Sequence, residues 1–325
     1  MNRTRNDLKL LQSLPLEIKV AKTKQRIREW VDMYGTSGVF VSFSGGKDST
    51  VLKHIVDSMY DNIPSLFVNT GLEYIEIQKF AMSQKNVIAI RPEMRFDEVL
   101  KTYGYPVISK AVSHNVKVAK RNPDGLVMKK VFDPKKRGQY AMHKWSYLLD
   151  APFDVSENCC DIMKKKPLKK YMKETGRKPI IGTLADESHF RYQKWLKYGC
   201  NAFDQKEPQS QPLSFWTEQD ILHYLKKYDV PYCSVYGDIV VDRKGKNEAT
   251  DILKTTGVHR TGCIFCMFGV HLEKEPNRFQ MLKETDLHRY EYCIGGGGMV
   301  DGKWKPSKEG LGLGKVLDYV GVKYD

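Results

Sequence analysis

The chain has 325 residues, 41% of them apolar, and a formal charge of +14 from 53 Lys and Arg against 39 Asp and Glu. That size supports one large α/β domain with additions, or two domains, and no apolar run approaches the roughly 18–20 residues needed to span a bilayer. The N-terminus, Met1 to Asn6, leads into a charged segment with no signal-peptide core, so a cytoplasmic protein is expected. In that compartment its seven cysteines point to metal binding or catalysis rather than to disulfides.

Residues 16–34 carry an amphipathic helical pattern stopped by Gly35. Gly38-Val39-Phe40-Val41 reads as a buried strand, and Ser49 to Val56 has apolar residues at helical spacing. Between them lies Ser44-Gly45-Gly46-Lys47-Asp48-Ser49. A strand, a glycine turn and a helix start aim backbone N–H groups and the positive end of a helix dipole at one point, which suits an anion. A second strand is predicted over Ile63–Thr70, a helix over Glu73–Gln84 and a third strand over Val87–Ile90. This rhythm indicates βαβ units and a doubly wound, mostly parallel α/β sheet, whose ligands bind at the carboxyl ends of the strands.

The pattern is interrupted over 110–145, where ten basic residues face two acidic ones. This stretch reads as an insertion, helical at its start, with a hairpin around Asp124-Gly125. Its excess charge favours a polyanionic partner, RNA or DNA. The residues expected to contact it are Lys117, Lys120, Arg121, Lys129, Lys130, Lys135, Lys136 and Arg137; a solvated surface insertion is the plainer alternative. The α/β pattern resumes with the strand Lys178–Gly182 and a helix over Glu218–Lys227, with Thr217 as its N-cap. A polar, glycine-rich tail follows Gly295 and ends in a short helix near Gly314–Tyr319. The expected division is an N-terminal helical segment at 1–36, a main domain at 37–290 with the insertion at about 106–147, and an extension at 291–325.

A Walker-type loop is excluded, because its pattern would require glycine at position 41 and Ser or Thr at 48, where Val41 and Asp48 stand. Ser44 to Ser49 instead resembles the PP-loop of the N-type ATP pyrophosphatases, which split a nucleotide at its α-phosphate. Further matches lie at Asn69-Thr70-Gly71, Cys159-Cys160 with Lys164-Lys165, Gly182 to Ser188, Pro212-Leu213 with Trp216-Thr217, and Arg260-Thr261-Gly262-Cys263-Ile264-Phe265-Cys266. With these the chain resembles the phosphoadenosine and adenosine phosphosulfate (PAPS/APS) reductases over about residues 37–270.

The resemblance implies an adenine nucleotide, either ATP with Mg²⁺ or PAPS/APS. It would be held by Ser42, Ser44, Gly45, Gly46, Lys47, Asp48, Ser49, Asn69, Thr70, Gly71, Gly182, Glu187 and Arg191, with Lys47 and Asp48 as catalytic candidates. Two departures stand out. Leu184 occupies the place of a family arginine for which Arg191 is expected to compensate in part, and Asn69 the place of a family aspartate.

Cys159-Cys160 and Cys263-x-x-Cys266 form a pair of pairs. Adjacent cysteines on one zinc ion would close a strained ring, whereas a 4Fe–4S cluster offers separate iron corners. The resemblance implies the same cluster; a zinc ion and unligated thiols are the alternatives. Lys164, Lys165 and Arg260 are expected to offset its charge. Cys200, Cys233 and Cys293 are singletons, each expected to be a small buried or incidental residue rather than a ligand.

Two enzymatic readings follow. One is ATP-dependent sulfur transfer to a nucleic acid from a sulfur donor. The other is a sulfonucleotide reductase that uses a thiol reductant and releases sulfite. A nucleotide- and cluster-binding regulator is a third, non-enzymatic reading. The reductases' C-terminal Glu-Cys-Gly-Leu-His segment is absent, with Glu291-Tyr292-Cys293-Ile294-Gly295 in its place. Cys293, beside a glycine run, is a candidate substitute thiol, but the local motif is absent.

Overall fold

The computed structural model describes residues 3–135 and 141–325. In chain order the elements are α1 (Arg5–Gln12), α2 (Leu16–Tyr34), β1 (Val39–Phe43), α3 (Lys47–Asp57), β2 (Ser65–Val68), α4 (Ile75–Ser83) and β3 (Val87–Ile90). Then come α5 (Phe96–Tyr103), α6 (Lys110–Arg121), α7 (Lys166–Thr175), β4 (Lys178–Ile181), α8 (His189–Tyr198), β5 (Asn201–Ala202), β6 (Gln209–Ser210) and α9 (Glu218–Lys227). The last are β7 (Ile239–Arg243), β8 (Ile252–Thr255), α10 (Arg278–Thr285), α11 (Leu287–Ile294), β9 (Gly298–Val300), β10 (Lys303–Lys305) and α12 (Leu313–Tyr319).

The chain gathers into two compact units. The first comprises residues 1–69, 73–90 and 168–261, and the second residues 70–72, 91–167 and 262–325. This division cuts across the boundaries expected at 36 and 290, because each unit is assembled from separated segments.

The first unit is built on a six-stranded sheet of order β3-β2-β1-β4-β6-β5. All its pairs are parallel except β5 with β6, so the α/β, mostly parallel sheet is present as expected. Alternation along β1 feeds both faces. Val39 and Val41 join a core with Ile27, Trp30, Val51, Leu52 and Trp216. Phe40 points the other way and meets Tyr171 of α7 edge-on, with ring centroids 5.2 Å apart. Strand order runs away from β1 in both directions, toward β2 on one side and β4 on the other. Such a sheet opens a crevice beyond the carboxyl ends of the two strands at the switch point.

The helix expected at 218–227 is α9, and Thr217 caps it through a reciprocal pair with Asp220. That pairing satisfies two N–H groups that the first turn would otherwise leave open. The hairpin β7–β8 was not anticipated.

The second unit packs Val99, Leu100, Tyr105, Val116, Phe153, Phe279 and Leu317 out of solvent. No hairpin forms around Asp124-Gly125. The Gly125 N–H bonds the Asn122 carbonyl, and the Lys129 N–H bonds the Gly125 carbonyl at 3.2 Å, so the chain turns directly into a π-helical segment, Met128–Phe132. In the tail beyond Gly295 the hairpin β9–β10 supplies order within the polar glycine-rich stretch, and the short final helix is α12. Among the described residues no helix is long and apolar enough to cross a membrane.

Candidate nucleotide cavity and cysteine group

At the switch point of the first unit lies a cavity of about 280 Å³, lined from β1 and the following loop by Ser42, Ser44, Gly46, Lys47, Asp48 and Ser49. The β4 end contributes Ile181, Gly182, Thr183 and Leu184, followed by Glu187 and Arg191. Glu218, Tyr236, His259, Arg260 and Thr261 complete the wall.

The loop's shape follows from its glycines. Gly45 has φ +73°, a region L side chains avoid, and a side chain there would come within 3.0 Å of Ile77 Cγ2. Gly182 lets β4 approach the start of α3 closely, since a Cβ would sit 3.0 Å from the Asp48 carbonyl oxygen. The turn is tied by the Ser49 hydroxyl, which donates to the Gly46 carbonyl at 2.9 Å and lies 3.0 Å from the Ser44 hydroxyl. The Lys47 N–H donates to the Tyr236 hydroxyl at 3.2 Å, and that hydroxyl also pairs with Thr261 at 2.7 Å. Burial pushes the Tyr236 phenol up to about 12, so it stays neutral.

Lys47 lies in the cavity wall. It is 5% exposed; its ammonium is paired with the Glu218 carboxylate and donates to the His259 carbonyl at 2.8 Å. The Glu218 carboxylate also lies 3.5 Å from the His259 ring. Arg191 lines the cavity but is paired with Glu187, so it does not stand as an uncommitted replacement for the arginine missing at Leu184. Three cations, Lys47, Arg191 and Arg260, therefore face three carboxylates, Asp48, Glu187 and Glu218.

Burial lifts the Asp48 carboxyl above its ordinary value. Lys47, Arg260 and Arg191 oppose the rise and Glu218 adds to it. A carboxyl raised in the folded state penalises folding above its folded pKa, and the penalty disappears as pH falls below the unfolded value. Asp48→Asn is therefore expected to raise the melting temperature at pH 7 and to lower turnover. Melting curves should show the gain shrinking as pH falls through the carboxylate range; a gain independent of pH would contradict the assignment.

Of the other predicted contacts, Asn69, Thr70 and Gly71 do not line this cavity; Thr70 and Gly71 fall in the second unit. Gly45 shapes the loop without lining the cavity. Glu218, Tyr236 and His259 were missed as site residues. They lie about 170 to 210 positions from Lys47 in sequence; Glu218 and His259 directly flank the matches at Trp216-Thr217 and Arg260-Thr261, the signal that could have found them, and Tyr236 has none. Arg260, expected beside the cysteines, lines the cavity of the first unit.

All four cysteines of the predicted group belong to the second unit. The Cys159 thiol is pushed up by its hydrogen bond with Cys160, by burial, and by the charges of Cys160, Cys266 and Cys263, so the other three all lie within electrostatic reach of Cys159. The Cys160 thiol is held down at about 6, chiefly by the hydrogen bond from Cys159, with Lys110 and Lys164 helping against burial. Burial raises Cys266, while Arg278 and Lys164 pull it back. The cations here are thus Lys110, Lys164 and Arg278; Lys165 pairs with Asp161 at 2.6 Å. Among the described residues no three His, Cys, Asp or Glu side chains converge closely enough to hold a single metal ion. None of the seven cysteines is in a disulfide.

Cys293 does not fit the role of substitute thiol. It is fully buried in the second unit, and burial raises it well above the ordinary thiol value, so it is neither accessible nor ionised.

The basic segment divides. Lys117 is bound to Glu157 at 2.6 Å and to Asn158, and Lys120 donates to the carbonyls of Ala151 and Phe153. Both are committed internally, against expectation. Arg121, Lys129, Lys130 and Lys135 are exposed; Lys136 and Arg137 lie outside the described residues.

The family model of the phosphoadenosine phosphosulfate reductase domain matches residues 38–122 and 82–267. An uncharacterized protein of Methanocaldococcus jannaschii is 21% identical over 236 residues. The match covers 71% of this chain and 42% of that protein, so the chain spans less than half the length of this curated relative. Two solved structures are similar at a distance. Phosphoadenylyl-sulfate reductase from Candida auris, in a phosphate complex, has a TM-score of 0.38 at 12% identity, over 72% of this chain and 91% of that one. A U34-tRNA thiolase from Methanococcus maripaludis with its 4Fe–4S cluster has a TM-score of 0.34 at 16% identity, over 66% of each chain.

Proposed function

The chain belongs to the phosphoadenosine phosphosulfate reductase family, and on that premise we propose that it is an ATP-using enzyme of sulfur transfer to a nucleic acid. The observation that carries the reading is the charge balance of the cavity. Three cations opposed by three carboxylates offer no net positive charge to a bare sulfonucleotide. A nucleotide triphosphate arrives with Mg²⁺, which such carboxylates tolerate. The buried state of Cys293 also weighs against a reductase that attacks through a thiol of the tail.

In this reading an acceptor oxygen on the nucleic acid attacks the α-phosphorus of ATP and pyrophosphate leaves. A sulfur nucleophile of the hydrosulfide class then displaces AMP, forming the carbon–sulfur bond. Lys47 and the N–H groups opening α3 hold the phosphate oxygens, and Tyr236 with Thr261 fixes the loop. Cys159, Cys160, Cys263 and Cys266 fit a 4Fe–4S cluster in the chemistry of their donor set: four mutually interacting thiols, one held down at about 6, among Lys110, Lys164 and Arg278. Such a cluster, when bound, supplies a site for sulfur or for electrons. Arg121, Lys129, Lys130 and Lys135 serve as phosphate contacts for the nucleic acid.

The test is product analysis on anaerobically purified protein. Pyrophosphate from ATP with a nucleic-acid acceptor is the expected product; sulfite from a sulfonucleotide without pyrophosphate would replace this reading with the reductase. Nucleic-acid affinity is expected to fall with salt at a log–log slope of about 0.7–0.9 per phosphate contact. Lys129→Gln, Lys130→Gln and Lys135→Gln together should flatten that slope by about two to three units. Filter binding across a salt series measures it, and an unchanged slope would remove the segment from the interface.

A further inference from the structure

We infer that the first unit carries a second ligand site, apart from the nucleotide cavity, for a small carboxylate with a flat apolar body. A second cavity of about 290 Å³ is lined by Arg3, Leu11, Lys22, Arg26, Glu29, Trp195, Cys200, Asn201, Phe203 and Phe215. It shares no lining residue with the nucleotide cavity. Five of its residues, Arg3 to Glu29, precede the segment matched by the family model, which begins at residue 38. The site is therefore built from a part of the chain that the family pattern does not describe.

Three features define the occupant. The walls are aromatic and aliphatic, from Trp195, Phe203, Phe215 and Leu11, so the body is apolar and flat. Arg3, Lys22 and Arg26 outnumber Glu29, so the head is anionic. Part of Arg26 is already committed, since it donates to both Glu29 oxygens at 2.8 Å, and the surplus rests on Arg3 and Lys22. The third feature is the Trp195 indole N–H. Trp195 is 2% exposed, and its buried Nε1 has no oxygen or nitrogen acceptor among the described residues. Its neighbour on the same wall is the Cys200 thiol, to which it gives an N–H···S hydrogen bond that opposes part of the rise burial imposes there; sulfur is a weak acceptor, a poor substitute for an oxygen. Buried indole donors are ordinarily satisfied, and a ligand oxygen entering this cavity would satisfy this one. The volume is at the small end for ligand pockets, which limits the body to about one ring.

Titration calorimetry of the full chain with phenylacetate tests the site, with phenylacetamide as the uncharged counterpart. Saturable one-site binding is expected for phenylacetate and much weaker binding for the amide. Trp195→Phe keeps an aromatic ring and removes the donor; it should weaken phenylacetate by about tenfold, the scale of one hydrogen bond to a charged group. Lys22→Gln changes only a half-buried side chain and should weaken binding severalfold even if the tryptophan variant does not fold. Lys47→Ala should bind phenylacetate as the wild type does, which separates this site from the nucleotide cavity. No saturable heat, equal affinity for the amide, or indifference to the Lys22 substitution would overturn the inference.

Discussion

Lys47→Ala should reduce nucleotide-dependent turnover by about 10²- to 10³-fold, the usual scale for a charge aimed at developing negative charge in a closed site. Its ammonium is buried in the cavity wall and held by Glu218 and the His259 carbonyl. An incoming phosphate must take it from Glu218, or bring a cation that lets Glu218 turn away. Glu218 is about one-third exposed, so water can solvate its carboxylate once the lysine is gone, and the fold should survive. Glu218→Gln should act in the opposite direction on binding, because it releases Lys47 to the ligand. Calorimetric nucleotide affinity and pyrophosphate release measure the two variants. Normal turnover by Lys47→Ala would show that the reaction takes place elsewhere.

Cys160→Ser and Cys263→Ser, reconstituted anaerobically, should each lose most of the iron, against about four iron and four sulfide per chain in the wild type. The Cys160 thiol is held down at about 6 because Cys159 donates to it and Lys110 and Lys164 stand by, so it is poised to ligate as thiolate at neutral pH. Cys263 represents the other pair, about a hundred residues away in sequence. Cys293→Ser is the control: its thiol is buried apart from any ligand role and its loss should leave the iron content unchanged. Iron and sulfide analysis with the visible charge-transfer band decides the matter. Full iron content in Cys160→Ser, or equal loss in Cys293→Ser, would end the cluster assignment.

The elements most legible in the sequence were those specified by near neighbours. α2 and β3 fall on their expected bounds, the turn after β1 was readable from its glycines, and Thr217 was readable from Asp220 three positions on. The cavity was half legible. Its floor comes from one continuous loop, but Glu218, Tyr236 and His259 arrive from elements far along the chain, and only tertiary packing brings them there. The same limit explains Lys117 and Lys120. Their charge was visible, whereas the acceptors that occupy them, Glu157 and the carbonyls of Ala151 and Phe153, are set by folding. Cys293 is buried as expected of a singleton cysteine; the alternative of an accessible thiol beside the glycine run fails because α11 turns it into the second unit's core.

On the ribosome, β1 has to wait for its second neighbour. β2 and β3 emerge soon after it and pair on one side, but β4 starts only at Lys178, after all of 91–167 has been made. At about 5–20 residues per second, synthesis from Ile90 to Lys178 takes roughly 4–18 s. For that interval the apolar strand Val39–Phe43 presents an open edge, the template on which another nascent chain can pair. The speed of translation through 91–167, a stretch that contributes nothing to the sheet, thus sets how long the half-built sheet stays vulnerable to aggregation.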